Sequence, residues 1–255
     1  MSKNGVITSI QGNMISVDFP SGVAQNEVGF VHAGDERLMA EVIRITGSTA
    51  YMQIFEDTKG VRIGDRVEFS GDMLSVDVGP GLLGQIFDGL QNPLPELAEK
   101  HGFFLPRGVQ ANALDRKKKW HFKPGDIKEK KDIVTRGAPL GYVQEGIFTH
   151  MIMVPFDFAG EYTVTQLVSE GDYTIDDIIA RLEDKNGVPH KVSMTFRWPI
   201  KVPIEAYREK RTPHEPLTTK VRLIDTFFPV SRGGTYCIPG PFGAGKTVLQ
   251  QLTSR

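Results

Sequence analysis

Apolar and polar positions alternate with period two through most of residues 5–70. Val6, Thr8 and Ile10 share one face of a predicted strand, and Ile15, Val17 and Phe19 one face of the next. Gln11-Gly12-Asn13 between them has hairpin turn chemistry. Leu38, Ala40 and Val42, a turn at Thr46-Gly47-Ser48, then Ala50, Met52 and Ile54 predict a second hairpin. A turn over 60–65 and Val67-Glu68-Phe69 add one more strand. Short strands at this spacing predict a small closed barrel in preference to an open sandwich.

The pattern then changes. Gly79-Pro80-Gly81 breaks the chain, and Pro93 and Pro95 precede a short predicted helix over 96–100. From Asp132 to Trp198 the β signals resume. Ile133, Val143, Ile147, Ile152-Met153-Val154 and Tyr162-Thr163-Val164 alternate with glycines, and one brief helical turn is predicted at 176–182. Residues 207–219 contain Pro213 and Pro216 and read as a loop. Val221, Ile224, Phe227 and Phe228 have helical spacing up to Pro229. Thr235-Tyr236-Cys237-Ile238 reads as a buried strand, and Val248, Leu249 and Leu252 fall on one face of a helix.

Between that strand and that helix, residues 240–247 read GPFGAGKT, which fits the phosphate-binding pattern G-x-x-x-x-G-K-[ST]. Gly240, Gly243 and Gly245 allow positive φ and close backbone approach, so N–H groups can curl around phosphate oxygens. Lys246 can bring a point charge to the β/γ-phosphates, and the Thr247 hydroxyl can hold Mg²⁺. The predicted nucleotide-binding set is Gly240, Pro241, Phe242, Gly243, Ala244, Gly245, Lys246, Thr247 and Val248. Lys246 is the catalytic candidate, ATP or ADP the ligand, and Thr247 the Mg²⁺ ligand. A nucleotide-hydrolysing domain also needs later strands carrying a metal-orienting Asp and a water-positioning residue. The few residues after the loop cannot supply these. The expectation is the front part of a larger enzyme, inactive by itself.

Composition narrows the partners. Lys+Arg 30 against Asp+Glu 31 leaves a net charge of −1, which gives no support for a nucleic-acid partner. No run approaches a membrane span, the first twenty residues lack a secretory pattern, and the single Cys237 excludes an internal disulfide. A cytoplasmic chain is expected, with Cys237 as a small core residue. Arg116-Lys117-Lys118-Lys119-Trp120-His121 is the one strong basic run and reads as a solvated turn. His150, His190 and His214 lack ligand spacing, so no metal cluster is expected.

The run IPGPFGAGKTVLQ, preceded by RLIDTFFPVSRGGT and RWPIKVP, resembles the catalytic A-subunit family of V/A-type rotary ATPases. GVITSIQGNMISVDF, ERLMAEVIRI, VGPGLLGQIFDGLQNPL and GVQANALDRKKKWHF are similar to the same family, in order along essentially the whole chain. One departure is Thr219-Lys220-Val221-Arg222, where the family usually has Gly-Gln-Arg before a Val/Ile-Asp step. The resemblance implies a mainly β chain of four parts. These are an N-terminal β-barrel over 1–72, a first segment of the nucleotide-binding domain over 73–113, a β-rich insertion over 114–194, and the start of a truncated P-loop (RecA-like) α/β domain over 195–255. It implies ATP hydrolysis or synthesis coupled to H⁺ or Na⁺ transport. It also implies noncatalytic B-type subunits alternating in a ring, central and peripheral stalk subunits, and a place on the cytoplasmic face of a membrane reached through other subunits. Two other readings stay open: a nonenzymatic assembly module of such a head, and a hexameric nucleic-acid motor. The slightly acidic balance weighs against the second.

Overall fold

The computed structural model describes residues 3–254 apart from 21, 103, 130 and 208. Residues up to 206 pack as one unit and those from 207 as a second, each taken separately below.

The first unit begins with β1 (Lys3–Gln11), β2 (Met14–Asp18), β3 (Glu27–Ala33), β4 (Glu36–Thr46), β5 (Thr49–Ile54) and β6 (Arg66–Met73). They close into a barrel in the order β1-β2-β5-β4-β3-β6. Leu38, Ala40, Val42, Ala50, Met52 and Ile54 are fully buried inside it, as their alternation predicts, and Ile15 and Val17 join them. The β1 phase is a correction. Ile7 is buried whereas Val6 and Thr8 face outward, because pairing with β2 shifts register between Ile7 and Ser9. Such a bulge moves the following side chains to the other face. Gly5 occupies the inward position before it, where a Cβ would stand 2.5 Å from Val17 Cγ1 and 2.8 Å from Asp18 O. Gly5→Ala is therefore expected to cost about 1–3 kcal/mol, read as a lower denaturation midpoint of the barrel.

The β3 strand went unpredicted. Its alternation is hidden by Gly29 and by Glu27, a buried carboxylate that accepts Ala24 N–H at 2.8 Å and Gly71 N–H at 2.7 Å.

After the barrel come β7 (Ser75–Val78) and α1 (Leu94–His101), which contains the predicted helical turn with Pro at its start and Leu97 buried. Eight strands then build two four-stranded sheets. They are β8 (Lys119–Pro124), β9 (Ile133–Thr135), β10 (Pro139–Glu145), β11 (Phe148–Met153), β12 (Glu161–Leu167), β13 (Gly171–Thr174), β14 (Ala180–Asp184) and β15 (Pro189–Val192). The sheet orders are β11-β10-β8-β13 and β15-β14-β12-β9. One core gathers Leu114, Trp120, Phe122, Val143, Ile152, Ile175, Ile179 and Met194, and a second Val134, Leu140, Val154, Tyr162, Val164 and Leu182. Finally β16 (Phe196–Pro199) returns to pair antiparallel with β7.

Three expectations change here. Residues 176–182 form no helix: Asp177 accepts Thr174 N–H at 2.7 Å to close a turn, and β14 follows. The spacing of Ile175 and Ile179 belongs to a turn lying on a core. Ile147 sits in the β10–β11 turn, almost fully exposed. The basic run is a turn only at its start, where Asp115 accepts Lys117 N–H and Lys118 N–H. From Lys119 it enters β8, which buries Trp120.

In the second unit, β17 (Pro216–Leu217) pairs with β18 (Val230–Ser231), α2 (Arg222–Phe227) lies between them in sequence, and α3 (Lys246–Ser254) ends the described residues.

Candidate functional site

Asp225 closes the turn that leads into α2, a role its sequence context does not mark. Its carboxylate accepts Thr219 N–H at 2.9 Å, the Thr219 hydroxyl at 2.6 Å and Lys220 N–H at 3.0 Å, with Lys220 held at φ 63°. The Thr219 hydroxyl, followed by the two N–H groups, keeps this carboxyl below its usual range. A carboxyl depressed on folding stabilises above its unfolded pKa, and that contribution is lost as pH falls through the lower folded value. An NMR titration should show Asp225 protonating below a free aspartate, and Thr219→Ala should move its midpoint upward. Equal midpoints in the two proteins would refute the assignment.

Residues 235–238 are not a strand, and Tyr236 and Cys237 are exposed, which corrects both the strand and the buried-cysteine expectations. Local β-propensity does not make a strand without a neighbour to pair with, and the described residues give 235–238 no ladder partner.

Two of the three loop glycines take the backbone expected of them. Gly243 and Gly245 both lie at φ 80°, a backbone that side chains with a Cβ rarely adopt. Gly240 differs: its φ is not in that region, and its missing Cβ instead leaves room for Ala244 Cβ, which would stand 3.3 Å away. Ala244 N–H donates to Pro241 O at 3.3 Å and closes the turn. Helix α3 opens at Lys246, and its first turn is closed by Leu249 N–H to Gly245 O at 3.1 Å. The N–H groups of Gly243, Gly245, Lys246, Thr247 and Val248 have no backbone acceptor among the described residues. A helix start with free donors is a favourable place for an anion.

Lys246 Nζ folds back and donates to Gly240 O at 2.5 Å and Pro241 O at 2.7 Å, so the ammonium spans the loop. Pro241, Phe242 and Ala244 are exposed at its rim, Phe242 completely. Thr247 is exposed on the first turn of α3, and Val248 is 62% exposed. Across the loop, Tyr236 Oη donates to Thr253 Oγ1 at 3.1 Å and ties the segment before it to α3. The residues predicted from 240 to 248 are thus brought together, and their donor set suits phosphate.

His150 pairs with Glu145 and His190 lies 3.7 Å from Asp184, while His214 Nδ1 is 3.2 Å from Thr212 O. Among the described residues no group of three or more His, Cys, Asp or Glu side chains is placed to hold a metal ion. No helix among them is long and apolar enough to cross a membrane.

Comparison with known proteins bears on the whole chain. The model of the ATP synthase alpha/beta family beta-barrel domain matches residues 7–71, and that of the ATP synthase alpha/beta subunit barrel-sandwich domain matches residues 111–201. The V-type ATP synthase alpha chain of Treponema denticola is 56% identical over 251 residues, which is 98% of this chain and 42% of the relative. That of Borrelia hermsii is 51% identical over 255 residues, 100% of this chain and 44% of the relative. The chain therefore spans less than half the length of the curated relatives it matches.

Proposed function

The chain belongs to the ATP synthase alpha/beta family, in its V-type alpha-chain branch, and from that premise we propose that residues 240–248 bind the phosphates of ATP or ADP in a rotary ATPase or ATP synthase. The observation that carries this reading is the pair of glycines at φ 80° leading straight into α3 with Lys246 between loop and helix. In the proposed complex the main-chain N–H groups and Lys246 receive the β/γ-phosphates, exchanging the Gly240 and Pro241 carbonyls for phosphate oxygens. Thr247 would hold Mg²⁺, whose charge offsets that developing on the transferred phosphoryl group.

The domain division expected above becomes part of the proposal: barrel 1–72, first nucleotide-domain segment 73–113, insertion 114–194 and start of the P-loop domain 195–255. So do alternating B-type subunits, central and peripheral stalk subunits, coupling to H⁺ or Na⁺ transport, and a position on the cytoplasmic face of a membrane. A nucleic-acid motor would show RNA-stimulated hydrolysis, so ATPase rates of the whole protein with and without RNA separate the two readings. Equal rates support the rotary reading; strong stimulation by RNA overturns it.

The 255-residue chain should show weak nucleotide binding and no measurable turnover. It spans less than half the length of the relatives it matches, and phosphoryl transfer depends on further groups, among them an arginine finger borrowed from a neighbouring subunit and worth about 10³–10⁵ in rate. Steady hydrolysis by the purified chain, removed by Lys246→Ala, would refute this.

A further inference from the structure

Glu145 ends β10, and its carboxylate is only 6% exposed. Both of its oxygens are engaged. Oε1 accepts Gly81 N–H at 2.7 Å and Leu83 N–H at 3.0 Å, and Oε2 accepts His150 Nδ1–H from across the hairpin at 2.6 Å. An ionised carboxylate makes its strongest bonds to N–H donors of this kind, and a buried one left without them is costly.

The stretch it grips, residues 79–83, directly follows β7. A Cβ on Gly79 would lie 3.0 Å from Met194 O, and one on Gly81 would lie 3.5 Å from Leu114 Cδ2 and 3.6 Å from Trp120 Cζ2. Gly81 is also at φ 111°. The loop therefore rests where the chain enters the two-sheet unit, at Leu114 and Trp120, and where it leaves, at Met194. Leu82 also packs on the core that holds Leu114 and Trp120, Arg116 bridges Asp77 and Asp176, and Phe156 stacks on Phe196 and Trp198; to these ties Glu145 adds the hydrogen bonds between the 79–83 loop and the far hairpin of the unit.

We infer that Glu145 is a clasp: from the β10–β11 hairpin it locks the two-sheet unit onto the 79–83 loop so that both move as one body, with His150 as the residue that positions its carboxylate. Releasing the carboxylate frees the 79–83 backbone from the hairpin while the apolar and ionic contacts of the unit remain. The inference is independent of nucleotide binding.

Amide exchange measured by NMR on the 255-residue chain tests it. Glu145→Met keeps the side-chain volume and removes both acceptors. It should speed exchange at Gly81 and Leu83 by about tenfold or more while leaving Phe122 and Val143, inside the unit, at their original rates. Glu145→Gln keeps an acceptor for the two N–H groups and should restore most of the protection. His150→Ala should speed the same two amides by a smaller factor. Unchanged rates at Gly81 and Leu83 in Glu145→Met would overturn the clasp. Equal acceleration throughout the unit, or loss of its fold, would also overturn it, by marking Glu145 as a general core residue.

Discussion

Replacing Lys246 by alanine in the whole protein, assembled with its partners, should lower ATP turnover by at least about 10²–10³-fold, the range set by removing one preorganised charge or donor from a developing anion. The geometry makes the substitution unusually specific. Among the described residues Lys246 Nζ is bonded to the Gly240 and Pro241 carbonyls, both within the loop itself. Loss of turnover with an unchanged melting temperature would tie the effect to phosphate. Lys246→Arg retains the charge but presents a wider planar group, and should not restore the rate. Near-normal turnover in Lys246→Ala would show that the loop does not hold the reacting phosphates.

The second large effect concerns the 255-residue chain itself. Amides of the barrel strands β4 and β5 should exchange at least about 10³-fold more slowly than those of 236–252, because only the former open at a cost near the global stability. The barrel strands surround fully buried Leu38, Ala40, Val42, Met52 and Ile54, whereas Val248 and Leu252 on α3 are 62% and 53% exposed. A nine-residue helix without burial is marginal in water, where roughly 12–15 residues are needed even for good helix formers. Slow exchange at 236–252, matching the barrel, would contradict this.

These contrasts also explain what the sequence made legible. The buried face of the β4–β5 hairpin could be read residue by residue because Leu38, Ala40 and Val42 lie on one side of a register shift and Ala50, Met52 and Ile54 alternate without interruption on the facing strand. The phase of β1 was misread because a bulge is a pairing event with no local mark. The β3 strand was missed because its buried Glu27 looks like a surface residue until Ala24 and Gly71 are seen to satisfy it. The loop was legible because positive φ at Gly243 and Gly245 is a local demand that glycine alone meets cheaply. The strand over 235–238 was predicted from propensity, while strand formation depends on distant partners. Asp225 and Glu145 were invisible for a related reason: each is defined by the N–H groups it receives.

The pairing of Val78 with Phe196 and of Ser75 with Pro199 joins two short strands separated by the entire two-sheet unit. Closing so long a loop while it is disordered carries an entropic cost that four paired residues cannot offset. Once the intervening sheets have formed, their own ends already lie together and that cost has vanished. Assembly should thus be ordered in time: the barrel and the two-sheet unit acquire their structure independently, and the β7–β16 ladder closes last. A slow refolding phase reported by Trp198 on β16, lagging the phase reported by Trp120 on β8, is the kinetic signature of that order.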